Sequence, residues 1–573
     1  MKTITINLII NNNNYGISND AKLIVQQLNT VSQISGLFKF KVCAVPFYKS
    51  QCIHSDINIF IETINPLLIH YAKINIFIPN QEWFYNVWKP YLHLFDFIWC
   101  KTKYSENCFK TFVPNLKDKI HYIGWTSIDR YKTSINKQKD CLHLVGNSTF
   151  KGTETLLISW KKDWDTLHIV IDPKNKIYKK IVPLLKDKSN IILHDTYLNT
   201  EDLERLMNQC WLHLCPSEAE GFGHYINEAL SCKSIVLTTD FSPMNTFVDN
   251  SFVIPIDNTI DLTNTLGKLV KYNSKDFTTI MDNYNKLSNI ELIKIGNNNR
   301  QNYLDSLKEF RKKLSVNIKK CLDLLDNQFL EKIPEEISYP VSLLPTVSIV
   351  TITKDRPQFL KLAMMNYTGI DYPNEKIEWI IVDDSKNQIK KEDLESIKDI
   401  NYIYLSKPTS IGEKRNIAIK NAKNEVICMM DDDDIYPPRH LLIKLAYLRH
   451  YKKQCVYCSQ IACFHIEKMI STINIPPFQL CPSKRVSEAT LCFYKSFWET
   501  KGFDDNDNFN EGYTFIKDRY DKIVEIPWKD VIISLLHKNN ISNRVKNIGN
   551  TPNGCHFGIS DSLFKFITNL DNK

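Results

Sequence analysis

Four consecutive aspartates follow a short apolar segment in EVICMMDDDDIYPP, residues 425–438. The five apolar residues before them are too few for a buried helix but fit a strand that is covered on both faces. The two prolines that follow prevent a helix. We therefore expect the aspartates at the carboxyl end of a strand, where open α/β sheets bind ligands. Asp431 and Asp433 can then share one divalent cation that also holds phosphate oxygens; the alternative is a solvated acidic loop.

Two neighbouring segments bring further charged residues toward the same edge. The predicted strand IEWIIVDDS, residues 377–385, ends in Asp383 and Asp384, and the loop and helix of SIGEKRNIAIKNA carry Arg415. Successive strands thus deliver acids and an arginine to one end of a sheet. Such convergence indicates a functional site rather than random surface charge.

A second candidate site lies in the first half of the chain, in CPSEAEGFGHYINEA. The pattern predicts a strand end, a turn at Gly221 and Gly223, and a helix that carries Glu228. Such a turn presents backbone N–H groups and a helix N-terminus to an anion, which suits a nucleotide diphosphate. Glu220 and Glu228 would flank the site; the alternative is a pair of solvated carboxylates at a helix end.

On these residues the first half, most of residues 1–270, resembles the retaining GT-B glycosyltransferases of the glycogen-synthase and sucrose-synthase type. Their hallmark is two glutamates separated by seven residues in an EGFG context. The resemblance implies that Glu220 contacts the donor sugar and Glu228 the nucleotide ribose. The family also places an arginine and a lysine on the diphosphate. Here VGNSTFKG supplies Lys151 but has Asn147 where the arginine is expected, and lysine lacks the bidentate fork of arginine.

Residues 346–545 resemble the GT-A glycosyltransferases of the large, mostly inverting family that includes chondroitin, hyaluronan and cellulose synthases. The resemblance implies that Asp383 or Asp384 binds the nucleotide base and that Arg415 holds the nucleotide. It also implies that Asp431 and Asp433 form a DxD pair for Mn²⁺ or Mg²⁺ on the diphosphate. A divalent cation stabilises the negative charge that develops on a nucleoside diphosphate leaving group.

The same resemblance places the general base in an acidic pair that follows KGF. Glu511 is the candidate, although Gly512 stands where an aspartate is common. The acidic stretch 504–507 fits a solvated turn. His537 is a candidate third contact to the metal or the diphosphate; a structural histidine is the alternative.

The predicted fold class is α/β, with a tandem Rossmann-like GT-B pair followed by a GT-A nucleotide-diphospho-sugar transferase domain. The predicted domains are a first Rossmann-like domain at 1–130, a second, nucleotide-sugar-binding domain at 131–275, a helical connector with a proline-containing linker at 276–340, and the GT-A domain at 341–573. Apolar residues at helical spacing across 299–330 predict one long amphipathic helix or two shorter ones. Gly16, after the first strand, is the one glycine placed there to let a phosphate approach, in a loop without a glycine-rich fingerprint.

Composition bounds the partners and the compartment. The net charge of +8 arises from 72 basic and 64 acidic residues, an excess too diffuse to indicate nucleic-acid binding. Sixteen cysteines, many within apolar runs, predict a reducing, cytoplasmic location. No apolar run approaches the ~20 residues that span a bilayer, so no transmembrane segment is predicted. The richness in Asn, Ile and Lys is typical of large DNA viruses and AT-rich microbes.

The leading hypothesis is a bifunctional glycosyltransferase that uses nucleotide-sugar donors and a glycan or glycoprotein acceptor, with metal dependence in the second half. Two alternatives stay open. Asn147 and Gly512 favour a sugar-binding or scaffold protein with a decayed site. Paired aspartates also serve metal-dependent nucleotidyltransferases, which release pyrophosphate. Donor sugar, acceptor and linkage depend on pocket shape and do not follow from the fold.

Overall fold

The computed structural model describes residues 2–11, 16–49, 51–196, 198–248, 252–327, 340–395, 397, 400–537, 540 and 551–569. The chain divides into two compact units, Met1–Gln328 and Phe329–Lys573.

The first unit begins with a six-stranded sheet. Its strands are β1 (Lys2–Ile10), β2 (Phe38–Pro46), β3 (Ser55–Ile61), β4 (Ala72–Ile78), β5 (Phe97–Cys100) and β6 (Ile120–Tyr122). They pair in parallel in the order β2-β1-β3-β4-β5-β6. The isoleucine-rich runs of β1, β3 and β4 suit a parallel sheet because both of its faces are buried.

A second six-stranded parallel sheet follows in the same unit. Its strands are β7 (Gln138–Gly146), β8 (Leu167–Ile171), β9 (Ile191–His194), β10 (Cys210–Cys215), β11 (Ile235–Thr239) and β12 (Val253–Ile254). Their order is β12-β11-β10-β7-β8-β9. The strands β13 (Asn258–Asp261) and β14 (Lys268–Lys271) form a separate antiparallel pair. Two parallel sheets in tandem are the arrangement predicted for the first half.

Eight α-helices belong to the described part of this unit. They are α1 (Gly16–Ser35), α2 (Lys103–Phe112), α3 (Thr153–Ser159), α4 (Tyr178–Ile181), α5 (Thr200–Gln209), α6 (His224–Ser231), α7 (Ser274–Tyr284) and α8 (Asn289–Asn327). Leu292 of α8 packs in the core of the second sheet, whereas Phe310, Leu314 and Ile318 pack in the core of the first. The helices predicted as a connector therefore pack, where described, as part of the first unit. Most of the predicted proline-containing linker lies outside the described residues.

The second unit contains a seven-stranded mixed sheet and a four-stranded sheet. The strands are β15 (Val347–Thr353), β16 (Ile377–Asp383), β17 (Ile400–Tyr404), β18 (Val426–Met429), β19 (Asp434–Ile435), β20 (Cys455–Tyr457), β21 (Ile461–His465), β22 (Ile470–Asn474), β23 (Cys492–Tyr494), β24 (Ile523–Glu525) and β25 (Ile533–Leu536). The orders are β17-β16-β15-β18-β23-β20-β24 and β19-β25-β21-β22. The strand before the four aspartates, β18, is thus the central strand of the larger sheet.

The α-helices of the second unit cover these sheets. They are α9 (Pro357–Thr368), α10 (Ile411–Lys420), α11 (His440–His450), α12 (Lys495–Thr500), α13 (Glu511–Ile516) and α14 (Asp561–Thr568). Because β15, β16, β17 and β18 are parallel, their carboxyl ends meet at one edge. The loops after β16, β17 and β18 therefore lie at the same edge of the sheet, as predicted.

Within the described ranges, no helix combines the length and the apolar character needed to cross a membrane. All sixteen cysteines are free thiols.

Candidate active sites

The EGFG segment forms the predicted turn between β10 and α6. Gly223 has a φ of 93° immediately before the helix, a conformation that glycine adopts without strain. Gly221 approaches the segment that follows β4, since a Cβ atom there would stand 2.6 Å from Glu82 Oε1 and 2.7 Å from Asn80 Oδ1. Both positions therefore require glycine, one for backbone conformation and the other for space.

Lys151 and Glu220 are brought together beside this turn and form an ion pair. Glu220 also accepts a 2.7 Å hydrogen bond from Ser217 Oγ, and the Lys151 ammonium lies 3.7 Å from the centroid of the Tyr225 ring. The two charged side chains keep 13% and 15% of their surface exposed. The pair is thus held by its neighbours but remains within reach of a ligand.

Glu228, on α6, has a different basic partner. Burial raises the pKa of Glu228, while Arg130, whose Nη2 lies 3.5 Å from Glu228 Oε1, lowers it in part. Arg130 also pairs with Glu204 at 3.0 Å, and its buried Nε has no hydrogen-bond partner among the described residues. Arg130 was not predicted, because it is a single arginine in the irregular segment after β6 and belongs to no motif.

Gly16 is the first residue of α1, and a Cβ atom there would lie 3.7 Å from the His224 ring. The start of α1 is therefore close to the start of α6 and to the EGFG turn. Asn147, at the end of β7, is exposed.

A buried group of charged side chains links α1, the strand ends of the first sheet and α6. Asp20 pairs with Lys101, accepts a 2.6 Å hydrogen bond from Trp125 Nε1 and lies 2.8 Å from His224 Nε2. Burial alone would raise the pKa of Asp20, but Lys101 and His224 lower it to about 2. Sequence reasoning missed this group because its members come from four separate segments without a shared motif.

The carboxyl group of Glu82 is buried next to Gly221. Burial raises the pKa of Glu82 to about 8, and the nearby Glu62 and Glu220 add to the rise. Its Oε2 has no hydrogen-bond partner in the described part of the chain. The carboxyl group is therefore neutral in the folded protein near pH 7.

Replacing Glu82 by Gln should make stability less sensitive to pH. Because the folded pKa is about 8 and the ordinary value 4.5, the unfolded chain binds fewer protons between these values, and wild-type stability falls as pH rises through that window. Glu82→Gln lacks this loss, so its stability relative to wild type should increase from pH 5 to pH 8 by a few kcal/mol, on the order of 1.4 kcal/mol per pKa unit. Urea unfolding at both pH values measures the difference. Exposed Glu154→Gln is the control, and an equal effect at both pH values would contradict a neutral Glu82.

In the second unit, Asp383 and Asp384 are buried at the end of β16. Asp384 pairs with Lys414 at 2.7 Å and with Lys354 at 3.3 Å. Burial would raise the pKa of Asp384, but its hydrogen bonds and these lysines lower it. Asp383 accepts a 2.8 Å hydrogen bond from Tyr402 OH. Both carboxylates are thus fixed at the predicted edge, and their contact with a nucleotide base stays a prediction.

Arg415 extends from α10 between two of the predicted carboxylates. Its Nε donates to Glu511 Oε1 at 2.9 Å, and its Nη2 donates to Asp431 Oδ1 at 3.3 Å. The arginine is 2% exposed, and its buried Nη1 has no hydrogen-bond partner within the described structure. A buried guanidinium N–H group without a partner is costly unless a ligand binds it. The geometry therefore suits an anion that completes the hydrogen bonds of Arg415.

Asp433 and His537 are brought together from the loop after β18 and the end of β25. His537 Nε2 lies 3.2 Å from Asp433 Oδ2, and Arg356 pairs with the same carboxylate. Burial would raise the pKa of Asp433, but His537 and Arg356 lower it below its ordinary value. Burial also raises the pKa of the neighbouring Asp432. The charged carboxylate next to the imidazole is therefore that of Asp433.

The donor set of Asp433 and His537 fits a divalent cation in part. The described residues contain no group of three or more His, Cys, Asp or Glu side chains arranged to hold a metal ion. The carboxylate oxygen nevertheless suits Mn²⁺ or Mg²⁺ when phosphate oxygens and water supply further ligands, and the imidazole nitrogen favours Mn²⁺ of the two because Mg²⁺ prefers oxygen ligands. Asp431 is paired with Arg415 here, so its place in a metal-binding DxD pair stays a prediction.

The acidic stretch 504–507 forms an exposed turn rather than part of this group. Asp505 accepts a 2.7 Å hydrogen bond from Asn416 Nδ2, and Asp507 accepts one of 2.8 Å from Thr514 Oγ1. These aspartates hold α10 and α13 against the turn, and most of the stretch is solvated, as expected.

Tandem parallel sheets with the EGFG turn, followed by a mixed sheet with charged residues at its carboxyl edge, are the GT-B plus GT-A arrangement that the sequence predicts. Residues 127–286 match the family model "Glycosyl transferases group 1", and residues 348–490 match "Glycosyl transferase family 2". Each half therefore carries a glycosyltransferase domain. A search of curated protein sequences finds no match.

Solved structures of glycosyltransferases are similar to parts of the chain. Residues 1–349 of TarS from S. aureus share 16% identity over 33% of this chain and 60% of that chain, with a TM-score of 0.28. The pneumococcal O-GlcNAc transferase GtfA, in complex with UDP and GlcNAc, shares 14% over 48% and 58%, with a TM-score of 0.37. A glycosyltransferase from Rickettsia africae ESF-5 shares 14% over 57% and 100%, with a TM-score of 0.42. The chain covers less than two thirds of the TarS and GtfA chains.

Proposed function

We propose that the protein is a bifunctional glycosyltransferase that transfers sugars from nucleotide-sugar donors to a glycan or glycoprotein acceptor, with a separate donor site in each half. The observation that carries the proposal is the convergence of Asp384, Arg415, Asp433 and His537 at the carboxyl edge of one sheet. Cationic and metal-binding side chains at such an edge can hold a nucleoside diphosphate.

In the second site, different side chains would bind different parts of the nucleotide-sugar donor. Asp383 or Asp384 would bind the nucleotide base, and Arg415 would donate from its unpartnered Nη1 to the nucleotide. Asp433 and His537 would hold Mn²⁺ or Mg²⁺, which supplies positive charge to the diphosphate leaving group when bound. Arg356, already paired with Asp433, adds a second cation near that position.

In the first site, nucleotide-sugar binding needs no metal. Lys151 supplies the positive charge for the diphosphate, the EGFG turn supplies backbone N–H groups, and Glu220 and Glu228 contact the sugar and the ribose. Arg130 lies beside Glu228 and offers a further N–H group. These two cations offset, in charge though not in position, the missing arginine at Asn147.

Sixteen free thiols support the proposed location in a reducing, cytoplasmic compartment.

The test is a panel of uridine, guanosine, cytidine and thymidine diphospho-sugars incubated with the full-length protein, with Mn²⁺ or with EDTA. We expect release of nucleoside diphosphate from at least one donor. Release of pyrophosphate from a nucleoside triphosphate and a sugar phosphate would instead support the nucleotidyltransferase alternative. Neither release nor binding at millimolar donor would support a sugar-binding scaffold with decayed sites.

A further inference from the structure

Gly512 stands where the GT-A resemblance places a second carboxylate, and the side chains of Val486 and Glu488 occupy the space beside it. A Cβ atom at Gly512 would stand 2.9 Å from Glu488 Cγ and 3.0 Å from Glu488 Oε1. The Gly512 N–H group donates a 3.3 Å hydrogen bond to that oxygen. Glu488 comes from the short 3-10 turn Glu488–Thr490 that precedes β23. A carboxylate is therefore present beside residue 512, although residue 512 carries none.

Glu511, the base predicted from sequence, is committed to another contact. It is 4% exposed, and its Oε1 accepts the hydrogen bond from Arg415 Nε. Removing the carboxylate partner of a buried guanidinium strongly destabilises the folded protein. The contact with Glu511 therefore fixes Arg415 in its position. Glu488 keeps part of its surface exposed. A general base must come within about 2.6–3.2 Å of the proton that it removes, and Glu488 is the more exposed residue of the two.

Glu488 also belongs to the same edge as the four aspartates. The Tyr436 hydroxyl donates a 3.0 Å hydrogen bond to the carbonyl of Ala489 and accepts a 2.8 Å hydrogen bond from the N–H group of Asp431. Burial would lower the pKa of Arg415, but three carboxylates around it, Glu488 among them, raise it. The carboxylate of Glu488 thus lies near the guanidinium of Arg415, whose Nη1 has no hydrogen-bond partner among the described residues.

We propose that Glu488 is the general base of the second site, an inference that rests on the transfer reaction proposed above. Its carboxylate takes the proton of the acceptor hydroxyl while the acceptor oxygen forms a bond to the anomeric carbon of the donor. The bond from that carbon to the phosphate oxygen breaks, and its electron pair leaves with the nucleoside diphosphate. Glu488 then returns the proton to solvent. With water as acceptor, the same step is donor hydrolysis.

The test uses full-length protein in which Lys151→Ala weakens the first site, and a donor that the parent protein hydrolyses in the presence of Mn²⁺. Glu488→Gln should lower kcat by about 10²–10⁴-fold while nucleoside diphosphate binding, measured by calorimetry, stays within about twofold. The fall of kcat at acidic pH should disappear in this variant, and Glu488→Asp should retain part of the rate. Glu499→Gln, an exposed glutamate on α12, is the matched control.

Two results would overturn the assignment. If Glu488→Gln keeps the parent rate and pH profile while Glu511→Gln loses the rate with nucleotide binding intact, Glu511 is the base. If Glu488→Gln loses nucleotide binding in parallel with kcat, Glu488 shapes the donor site rather than removing a proton. If the parent protein neither binds nor hydrolyses any donor, both the proposed function and this assignment are wrong. The two results above differ from that outcome because in both of them the parent protein is active.

Discussion

Asp433→Asn should lower the cation-dependent donor hydrolysis of the second unit on the order of 10²–10³-fold, as expected when a group that stabilises the developing charge is removed. The carboxylate carries the negative charge next to His537, so the neutral amide weakens cation binding without changing the size of the side chain. Hydrolysis is measured as nucleoside diphosphate release against Mn²⁺ concentration, and the variant should need far more Mn²⁺ for half-maximal rate.

The exposed Asp371→Asn, which lies on the same unit, controls for a general effect of losing one charge. His537→Ala should shift the Mn²⁺ dependence in the same direction if the two side chains act on one cation. Unchanged hydrolysis in Asp433→Asn would rule out a metal held by this pair. So would hydrolysis by the Lys151→Ala protein, in which the first site is weakened, that EDTA leaves intact.

The second large effect is expected from Lys151→Ala in the first unit. The substitution removes the cation that faces the diphosphate, and a hydrogen bond to a charged group contributes about 1.5–3 kcal/mol, so nucleotide-sugar affinity should fall by about 10–100-fold. Calorimetry in EDTA on full-length Asp433→Asn protein isolates the first site, because the second then lacks both its metal and a ligand for it.

Lys174→Ala, an exposed lysine after β8, is the matched control for charge. Glu220→Gln should weaken binding less than Lys151→Ala, because it also frees the lysine from its ion pair. Equal affinity in wild type and Lys151→Ala would show that the lysine serves only its contact with Glu220, and the interpretation of the first half as a decayed site would gain support.

The sequence allowed the layered α/β architecture to be predicted because buried parallel strands appear as apolar runs that end in polar residues. It also allowed the pairs Lys151 with Glu220 and Arg415 with Glu511 to be placed at common edges. Motifs of the two resemblances marked Lys151, Glu220 and Glu511, and the loop and helix after a predicted strand marked Arg415.

The other contacts could not be predicted because they join residues that are far apart in the sequence and share no local pattern. Arg356 follows β15, yet its partner Asp433 lies 77 residues further along the chain. Glu488 fills the space beside Gly512 from a turn that sequence reasoning left unassigned. The segment with Gly512 lacks the expected carboxylate, and the turn with Glu488 supplies one beside it. Only the packing of the side chains in the structure shows this.

The 39-residue helix α8 contacts the cores of both parallel sheets in the first unit. At 1.5 Å per residue it is about 58 Å long, so one continuous set of backbone hydrogen bonds joins two hydrophobic cores. Unfolding of either core exposes apolar residues of this helix, and the other core then loses part of its packing. The two sheets should consequently unfold in one cooperative thermal transition. Ending the chain at residue 288, which removes α8, should destabilise the sheet of β1–β6 although all of its strands remain.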